Sequence, residues 1–464
     1  MQWTRRLVLI VSLTLLAVPA ATVHAAPRML IGFFDDPSFR WSGQTQANLA
    51  AAHEAGATII HVTADWSQIA PTRPASPLEG DDPAYRLSDL DAVVRDASKY
   101  DLQVMIDISQ TPKWANGGTR PNHAPLNMGD LTNFAHMLAA RYNGKNPGYG
   151  SVARWAIWNE PNLELFLTPQ FKGKQIVSPQ IYAKIFAAGY RGIKAGNPLA
   201  QVAAGETSNR GRDTPVQGVS GSVAPATFAR LFARYNRIRF DAWATHPYPT
   251  SPGLGPTQTV KWPNVTMTQI DHLGQSLRSW YHRRVPVWIT EYGQQTKPEY
   301  SLGVTKAQQA IFAKQALQLA AKSTYVEMFC WFILRDSANT WKSGLLTASG
   351  ARKPAYAAFS SLARLMDGQT YYVRAGSPVS IRLFVPYLGY QNQTGQLVGV
   401  TYRIYDSTNK LIAIGQPQSP LAADQSISFV AEFAPARRKT YSLVADVNDR
   451  NGAHVTRNVT IVAS

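Results

Sequence analysis

Between residues 29 and 366, short apolar runs alternate with amphipathic stretches. The apolar runs occupy 29–34, 58–64, 102–109, 151–158, 200–206, 240–246, 285–291 and 325–334. Most are apolar throughout rather than alternating, the pattern of strands buried on both faces of a parallel sheet. The stretches between and after them carry helical periodicity and helix punctuation. Gly56 is placed to stop the first helix, Ser88-Asp89-Leu90-Asp91 to open the second in the manner of a capping box, and Thr305 with Gln308 to cap the seventh. Eight strands alternating with eight helices predict an α/β fold of the (β/α)8 type, a TIM barrel. A doubly wound open sheet would carry a glycine-rich phosphate loop after an early strand, and the sequence has none there.

The texture changes after Asp367-Gly368. Helical periodicity stops, and 379–385, 398–406, 426–433, 441–447 and 454–463 read as half-buried strands, several with alternation, separated by turn residues such as Asn409, Gly415 and Asn451-Gly452. This segment predicts a small all-β sandwich. The expected organisation is a leader over 1–25, a barrel over 26–368 and a β-sandwich over 369–464.

The leader is read from Arg5 and Arg6, an apolar stretch to about Ala21, and the small residues of Val23-His24-Ala25, the layout of an export signal. The apolar stretch is shorter than the ~20 residues of a membrane span, and no later run is long enough to cross a bilayer. The expectation is a secreted, extracellular protein. Its one cysteine, Cys330, cannot form an internal disulfide and suits a small buried position. The formal charge of +17 reads first as ordinary solvated surface, with association with anionic cell-wall polymers or acidic glycans as the alternative. No nucleic-acid motif is present.

Two acids stand out against the apolar pattern. Glu160 follows the fourth run in Trp158-Asn159-Glu160-Pro161-Asn162, and Glu291 ends the seventh. In a parallel barrel the C-terminal ends of the strands face one common site. A carboxylate closing an apolar run is costly unless something uses it. Two such carboxylates facing each other can cleave a glycosidic bond, one protonating the leaving oxygen and the other attacking the anomeric carbon or activating water. Pro161 lacks an N–H and helps end the strand, and Asn159 can hydrogen-bond a sugar beside the acid.

These residues also carry a resemblance. "WNEPN" (158–162), "HPYP" (246–249), "WITEYG" (288–293) and "KPAY" (353–356) together resemble glycoside hydrolase clan A, the retaining (β/α)8 hydrolases, and "TPKWA" (111–115) narrows this to the family 39 and family 5 branches. The likeness covers about 27–366. It implies Glu160 as general acid/base and Glu291 as nucleophile, with Asn159 on the 2-hydroxyl next to the scissile bond. It also implies that His246 and Tyr248 contact substrate and nucleophile, and that Trp331 forms the aromatic floor under the reacting sugar. On this reading Glu160 carries a raised pKa while Glu291 stays ionised, helped by a Tyr248 hydroxyl. Retention further implies carboxyl groups roughly 5–5.5 Å apart.

Other positions admit two readings each. Asp35, Asp36 and Asp65 end strands one and two and either line the cleft or serve as caps and turns. Trp66, Trp114 and Trp341 either stack on sugars at outer subsites or pack. Glu206 is either a third cleft acid or a loop cap. His61 reads as a satisfied barrel histidine, and Asp336 as uninvolved. No cluster has metal-ligand spacing, and the hydrolysis needs no cofactor. The expected partner is a carbohydrate. A transglycosylase on the same site, and a non-catalytic glycan or cell-wall binding protein on the same barrel, are the alternatives. The family 39 branch favours pyranosides such as β-xylosides. Sugar identity, endo or exo action and oligomeric state are not fixed by the sequence.

Overall fold

The computed structural model describes residues 29–146, 148–216, 220–337, 340–366, 370–385, 395–422, 426–450, 452 and 454–463. The leader and the junction at 367–369 lie outside the described residues. Eight parallel strands close into a barrel in chain order. They are β1 (Leu30–Phe34), β2 (Ile59–Asp65), β3 (Gln103–Ser109), β4 (Arg154–Ile157), β5 (Gln201–Ser208), β6 (Ala242–His246), β7 (Val287–Tyr292) and β8 (Val326–Phe332). The helices are α1 (Thr45–Glu54), α2 (Ser88–Ala97), α3 (Met128–Arg141), α4 (Ser178–Gly196), α5 (Pro225–Tyr235), α6 (Ile270–Tyr281), α7 (Lys306–Lys322) and α8 (Pro354–Met366).

The uniform apolarity of the strands has a simple cause: alternate side chains enter two different apolar layers. Leu30, Ile59, Met105, Met328 and Cys330 fill the barrel interior. Ile31, Phe33, Ile60, Ile106 and Phe329 pack outward against the helices. Cys330 is free and buried, as its surroundings in the sequence suggest. The first and seventh helices end and begin as expected, at Gly56 with φ 88° and at a Thr305–Gln308 capping box. The second does not. Ser88 is already helical and Leu87 takes the cap position without a side-chain bond. The acids of that first turn tie elements together instead, Asp89 to Arg40 at 2.8 Å and Asp91 to Arg141 at 2.8 Å.

Beyond the barrel, β9 (Thr370–Val373), β11 (Leu397–Asp406), β12 (Leu411–Gly415), β13 (Gln418–Pro420), β15 (Thr440–Asn448) and β16 (His454–Ala463) form one sheet. Strands β10 (Val379–Phe384) and β14 (Ser426–Ala431) form a second, antiparallel pair. The two enclose a core of their own, with Val400, Ile404, Leu443 and Ile461 facing Ile381, Leu383, Ile427 and Phe429. Strands β9, β12 and β13 were not legible in the sequence. Arg457 on β16 reaches Asp101, just before β3, at 2.7 Å. Among the described residues no helix is long and apolar enough to cross a membrane.

Candidate active site

The site is built at the C-terminal ends of β4, β5, β6 and β7. Past Ile157 the chain turns sharply, with positive φ at Trp158 (72°) and Glu160 (38°) on either side of Asn159. Non-glycine residues rarely hold this region, and such strain persists only where neighbours over-determine it. Here they do: Trp158 N–H donates to Ile108 O at 2.7 Å, and Glu160 N–H to Glu206 O at 2.9 Å. The Trp158 indole is fully buried and donates to Phe166 O at 2.7 Å. Glu160 is thereby held at the rim, and Pro161 follows.

His246, the last residue of β6, is the hub. Its Nδ1 lies 3.0 Å from Glu160 Oε1 and its Nε2 3.0 Å from Glu206 Oε2. The same Nδ1 is 3.7 Å from Glu291 Oε1. The other Glu291 oxygen accepts the Tyr248 hydroxyl at 3.0 Å. Tyr248 is held by its ring, stacked 5.9 Å from Tyr292, and by its carbonyl, which accepts from Asn209 Nδ2 at 2.8 Å. Asn159 Oδ1 is buried and has no partner among the described residues, as expected of a group waiting for a ligand. Thus Glu160, Glu291, Asn159, His246 and Tyr248, scattered over 133 positions of sequence by the numbering itself, lie at one barrel mouth.

A second polar layer sits beneath. His61 on β2 is buried, with Nδ1 3.3 Å from Thr290 O and Nε2 3.3 Å from Asp107 Oδ1. The latter is a close charge contact between two buried groups. Asp107 was missed in the sequence. Its signal was an acid inside an apolar run, next to a strand that carries a histidine inside another.

Two family models match this chain. One, described as cellulase (glycosyl hydrolase family 5), matches residues 26–168 and includes Glu160. The other, described as a glycosyl hydrolase catalytic core, matches 228–359 and includes His246, Tyr248 and Glu291. Both matches fall within the barrel, which is similar to the glycoside hydrolases of clan A. Solved structures share its fold. A family 39 glycoside hydrolase from the gut symbiont Bacteroides cellulosilyticus WH2 is 18% identical over 87% of this chain and 81% of that one, with a TM-score of 0.52. A GH5_18 protein from Streptomyces cattleya, solved with GlcNAc, is 18% identical over 76% and 86%, at 0.54. A family 39 β-xylosidase from Caulobacter crescentus is 14% identical over 89% and 98%, at 0.51. No curated protein matches.

The electrostatics of this hydrolase site differ from the expectation in one respect. Burial pushes the Glu291 carboxyl up to about 7, against the pull of the His246 cation and with the help of Glu160 and Glu206. Burial therefore works against the ionised form of Glu291, the carboxyl that the sequence reading expected to stay charged. Glu160 holds the direct bond to His246, whereas Glu291 stands further from that ring. Burial alone would push the His246 ring down, but Glu291, Glu160 and Glu206 outweigh it and hold the ring well above its usual range. His61 is likewise penalised by burial yet raised to about 9, through Asp107 and the field of Glu206 and Glu291.

Several expected contacts are corrected by burial. Trp331 is not a floor under the sugar. It is 0% exposed, donates to Ser343 O at 2.8 Å, and packs outward against Phe359 of α8. Strand alternation turns the next residue, Phe332, to the mouth, where it meets Phe34 at 5.4 Å and Trp341 at 5.3 Å. Trp66 is 1% exposed and stacks on Phe134 in the core. The Trp114 face is covered by the Arg73 guanidinium at 4.4 Å, and its indole donates to Ala70 O. Trp341 is the one of these tryptophans with substantial exposure, 47%.

Among the acids, Glu206 is a buried partner of His246 rather than a cleft acid, with φ 50° and its second oxygen unpartnered. Asp35 accepts the N–H groups of Ser38, Leu334 and Arg335, clamping β1 to the end of β8. Asp36 pairs with Arg40, Asp65 caps a short helix through Gln68 N, and Asp336 pairs with Lys353 at 2.8 Å.

Proposed function

We propose that this glycoside hydrolase is exported and cleaves O-glycosidic bonds of a polysaccharide or oligosaccharide by retaining double displacement. Glu291 is the nucleophile and Glu160 the acid/base, with Asn159, His246 and Tyr248 positioning substrate and nucleophile. The observation that carries the reading is the bridge of His246 Nδ1 between the two carboxylates, 3.0 Å from one and 3.7 Å from the other. The sum of these distances caps their nearest oxygens near the foot of the inverting range, roughly 6.5 Å. Any bend at the nitrogen brings them toward the retaining value of roughly 5 Å.

In the first step the ionised Glu291 attacks the anomeric carbon as the bond to the leaving oxygen breaks, and Glu160 gives its proton to that oxygen. His246 occupies Oε1 of Glu160, which leaves Oε2 for the proton. In the second step Glu160, now a carboxylate, takes a proton from water as its oxygen attacks the anomeric carbon. The bond to Glu291 breaks and the sugar leaves with its configuration retained. Because Glu291 ionises only as pH rises through about 7, the acidic limb of kcat/KM belongs near that pH.

Export rests on Arg5, Arg6 and the apolar stretch that follows. The division into a leader (1–25), a barrel domain (26–368) and a β domain (369–464) belongs to the same proposal. The test is a product screen. The mature protein and a Glu160→Ala/Glu291→Ala control are incubated with plant, fungal and bacterial polysaccharides and with aryl glycosides, β-xylosides first. Reducing sugar released by the wild type alone supports the reading. Equal release by both refutes it, and binding to one glycan without cleavage turns it into a binding protein.

A further inference from the structure

Three loops surround the end of β4 from which Glu160 rises, and the structure stitches them into one surface. They are the loops after β3 (110–127), β4 (158–177) and β5 (209–224). Thr168 N–H donates to Asn122 O at 2.9 Å and Asn122 Nδ2 to Glu164 O at 2.9 Å, joining the first two. Val223 N–H donates to Asn162 O at 2.9 Å, and Asn162 Nδ2 to Val223 O at 2.9 Å, joining the second to the third.

This surface carries six exposed cations, Lys113 and Arg120, Lys172 and Lys174, Arg210 and Arg212. None forms an ion pair among the described residues. Besides Glu160 itself the loops carry two acids, and both are spent on backbone and hydroxyl groups within the surface. Glu164 accepts from Ser220 Oγ at 3.0 Å and Gly221 N at 3.1 Å. Asp213 accepts from Ala224 N and Thr227 Oγ1, both at 2.7 Å. Elsewhere on the same end of the barrel the balance differs. The loop after β2 brings Glu79, Asp81 and Asp82. Around β7 and β8, Lys306 pairs with Glu299, Lys353 with Asp336 and Arg352 with Glu54. Arg86, Lys261 and Lys297 are also exposed and outside any ion pair among the described residues, but they stand one to a loop, so the unpaired positive charge is densest beside the acid/base.

Exposed cations in water contribute little one at a time, but several of one sign beside a cleft create a field that raises the local concentration of an oppositely charged ligand. We infer that the substrate is a polyanionic glycan, held across the loops after β3, β4 and β5 by these six cations. The inference rests on the cleft assignment made above for Glu160. Its chemistry is that of carboxylate or phosphate groups repeated along a sugar chain. Its effect falls on binding and is screened by salt, because every cation named is solvated.

The experiment compares matched polymers: polygalacturonate with its fully methyl-esterified form, together with a glycerol-phosphate teichoic acid and, as a sugar-free polyanion, polyglutamate. Affinity electrophoresis measures binding at low and high salt, and kcat/KM is measured wherever cleavage occurs. The variant is Lys172→Glu/Lys174→Glu, at the tip of an exposed hairpin where Gly173 meets nothing nearby, with Tm as the folding control. The expected result is retardation by an acidic glycan and not by the esterified one, lost at high salt and weakened roughly tenfold or more by the double charge reversal. The arm retarded, uronate or teichoic acid, then assigns the anion. Equal retardation by the neutral polymer, no retardation by either, an unaffected variant, or equal retardation by polyglutamate each overturns the inference. Cleavage of a neutral glycan without charge dependence sinks this inference and leaves the hydrolase reading intact. Retardation by an acidic glycan with no cleavage of any substrate does the reverse.

Discussion

Glu291→Gln should make the protein more stable at alkaline pH while abolishing its activity. The wild-type carboxyl is raised from 4.5 in the unfolded chain to about 7 in the fold, chiefly by burial. A raised acid pKa means that the folded state binds the proton more tightly, so stability is lost as pH climbs from about 4.5 through 7 and the full cost is present above that. At one pKa unit per 1.36 kcal/mol, the shift is worth about 3 kcal/mol at most, and the neighbouring His246 cation, which loses an anion in the variant, trims the gain. Glutamine keeps the shape and carries no charge. The advantage of the variant over wild type should therefore widen by about 2–3 kcal/mol between pH 5 and pH 8, on the order of 5 °C in Tm. Thermal unfolding of both proteins at the two pH values measures this directly, and each protein serves as its own control. An advantage that stays flat or shrinks with pH refutes the argument that burial destabilises the charged nucleophile. A widening advantage in a dead enzyme would mark Glu291 as a group kept for chemistry at the expense of stability.

Other consequences are open to test. Glu206→Gln removes the anion at His246 Nε2, so the ring should lose its second proton at a lower pH in the variant than in the wild type when both are titrated by 15N NMR; an unchanged ring would show that Glu206 does not hold its charge. Tyr248→Phe deletes a hydrogen bond to the charged form of Glu291, so kcat/KM should fall by roughly 10–100-fold and its acidic limb should move to higher pH. An unmoved limb would place the hydroxyl on substrate alone. Trp66→Ala empties a buried site and should cost about 3–5 kcal/mol. Trp341→Ala, at an exposed site, should change stability by less than about 0.5 kcal/mol and raise KM; the opposite pattern would reverse the assignments of core and cleft.

The barrel was legible because each strand is a short apolar run with an amphipathic stretch after it, and both periods survive in the sequence. The two acids brought together at the barrel mouth were legible for a related reason: Glu160 and Glu291 each close an apolar run, where charge is conspicuous. What the sequence hides is the face on which a side chain lies. In strands apolar on both sides nothing distinguishes Trp331 from Phe332, and a shift of one residue separates the helix layer from the barrel mouth. Trp66, in a short helix, and Trp114, in the loop after β3, lie outside any strand, where no period separates packing from stacking on a ligand. The role of Glu206 depends on the register of β5 against β6, and the His61–Asp107 contact on that of β2 against β3, neither of which any local pattern encodes. Beyond the barrel, the five longer strands could be read from their length or alternation. The short strands β9, β12 and β13 could not, since a few residues beside a helix end or at a sheet edge have no period to detect.

Double displacement requires that Glu291 form a covalent bond to the sugar. Its most direct test is to treat the protein with a panel of 2-deoxy-2-fluoroglycosyl fluorides, which slow release of such an intermediate, and to locate any added mass by peptide mapping. One added glycosyl group is expected on the peptide containing Glu291, absent from Glu291→Gln and released with retained configuration by a competing sugar acceptor. A label on Glu206 or any other residue, or natural substrate turned over with inverted configuration, would contradict it.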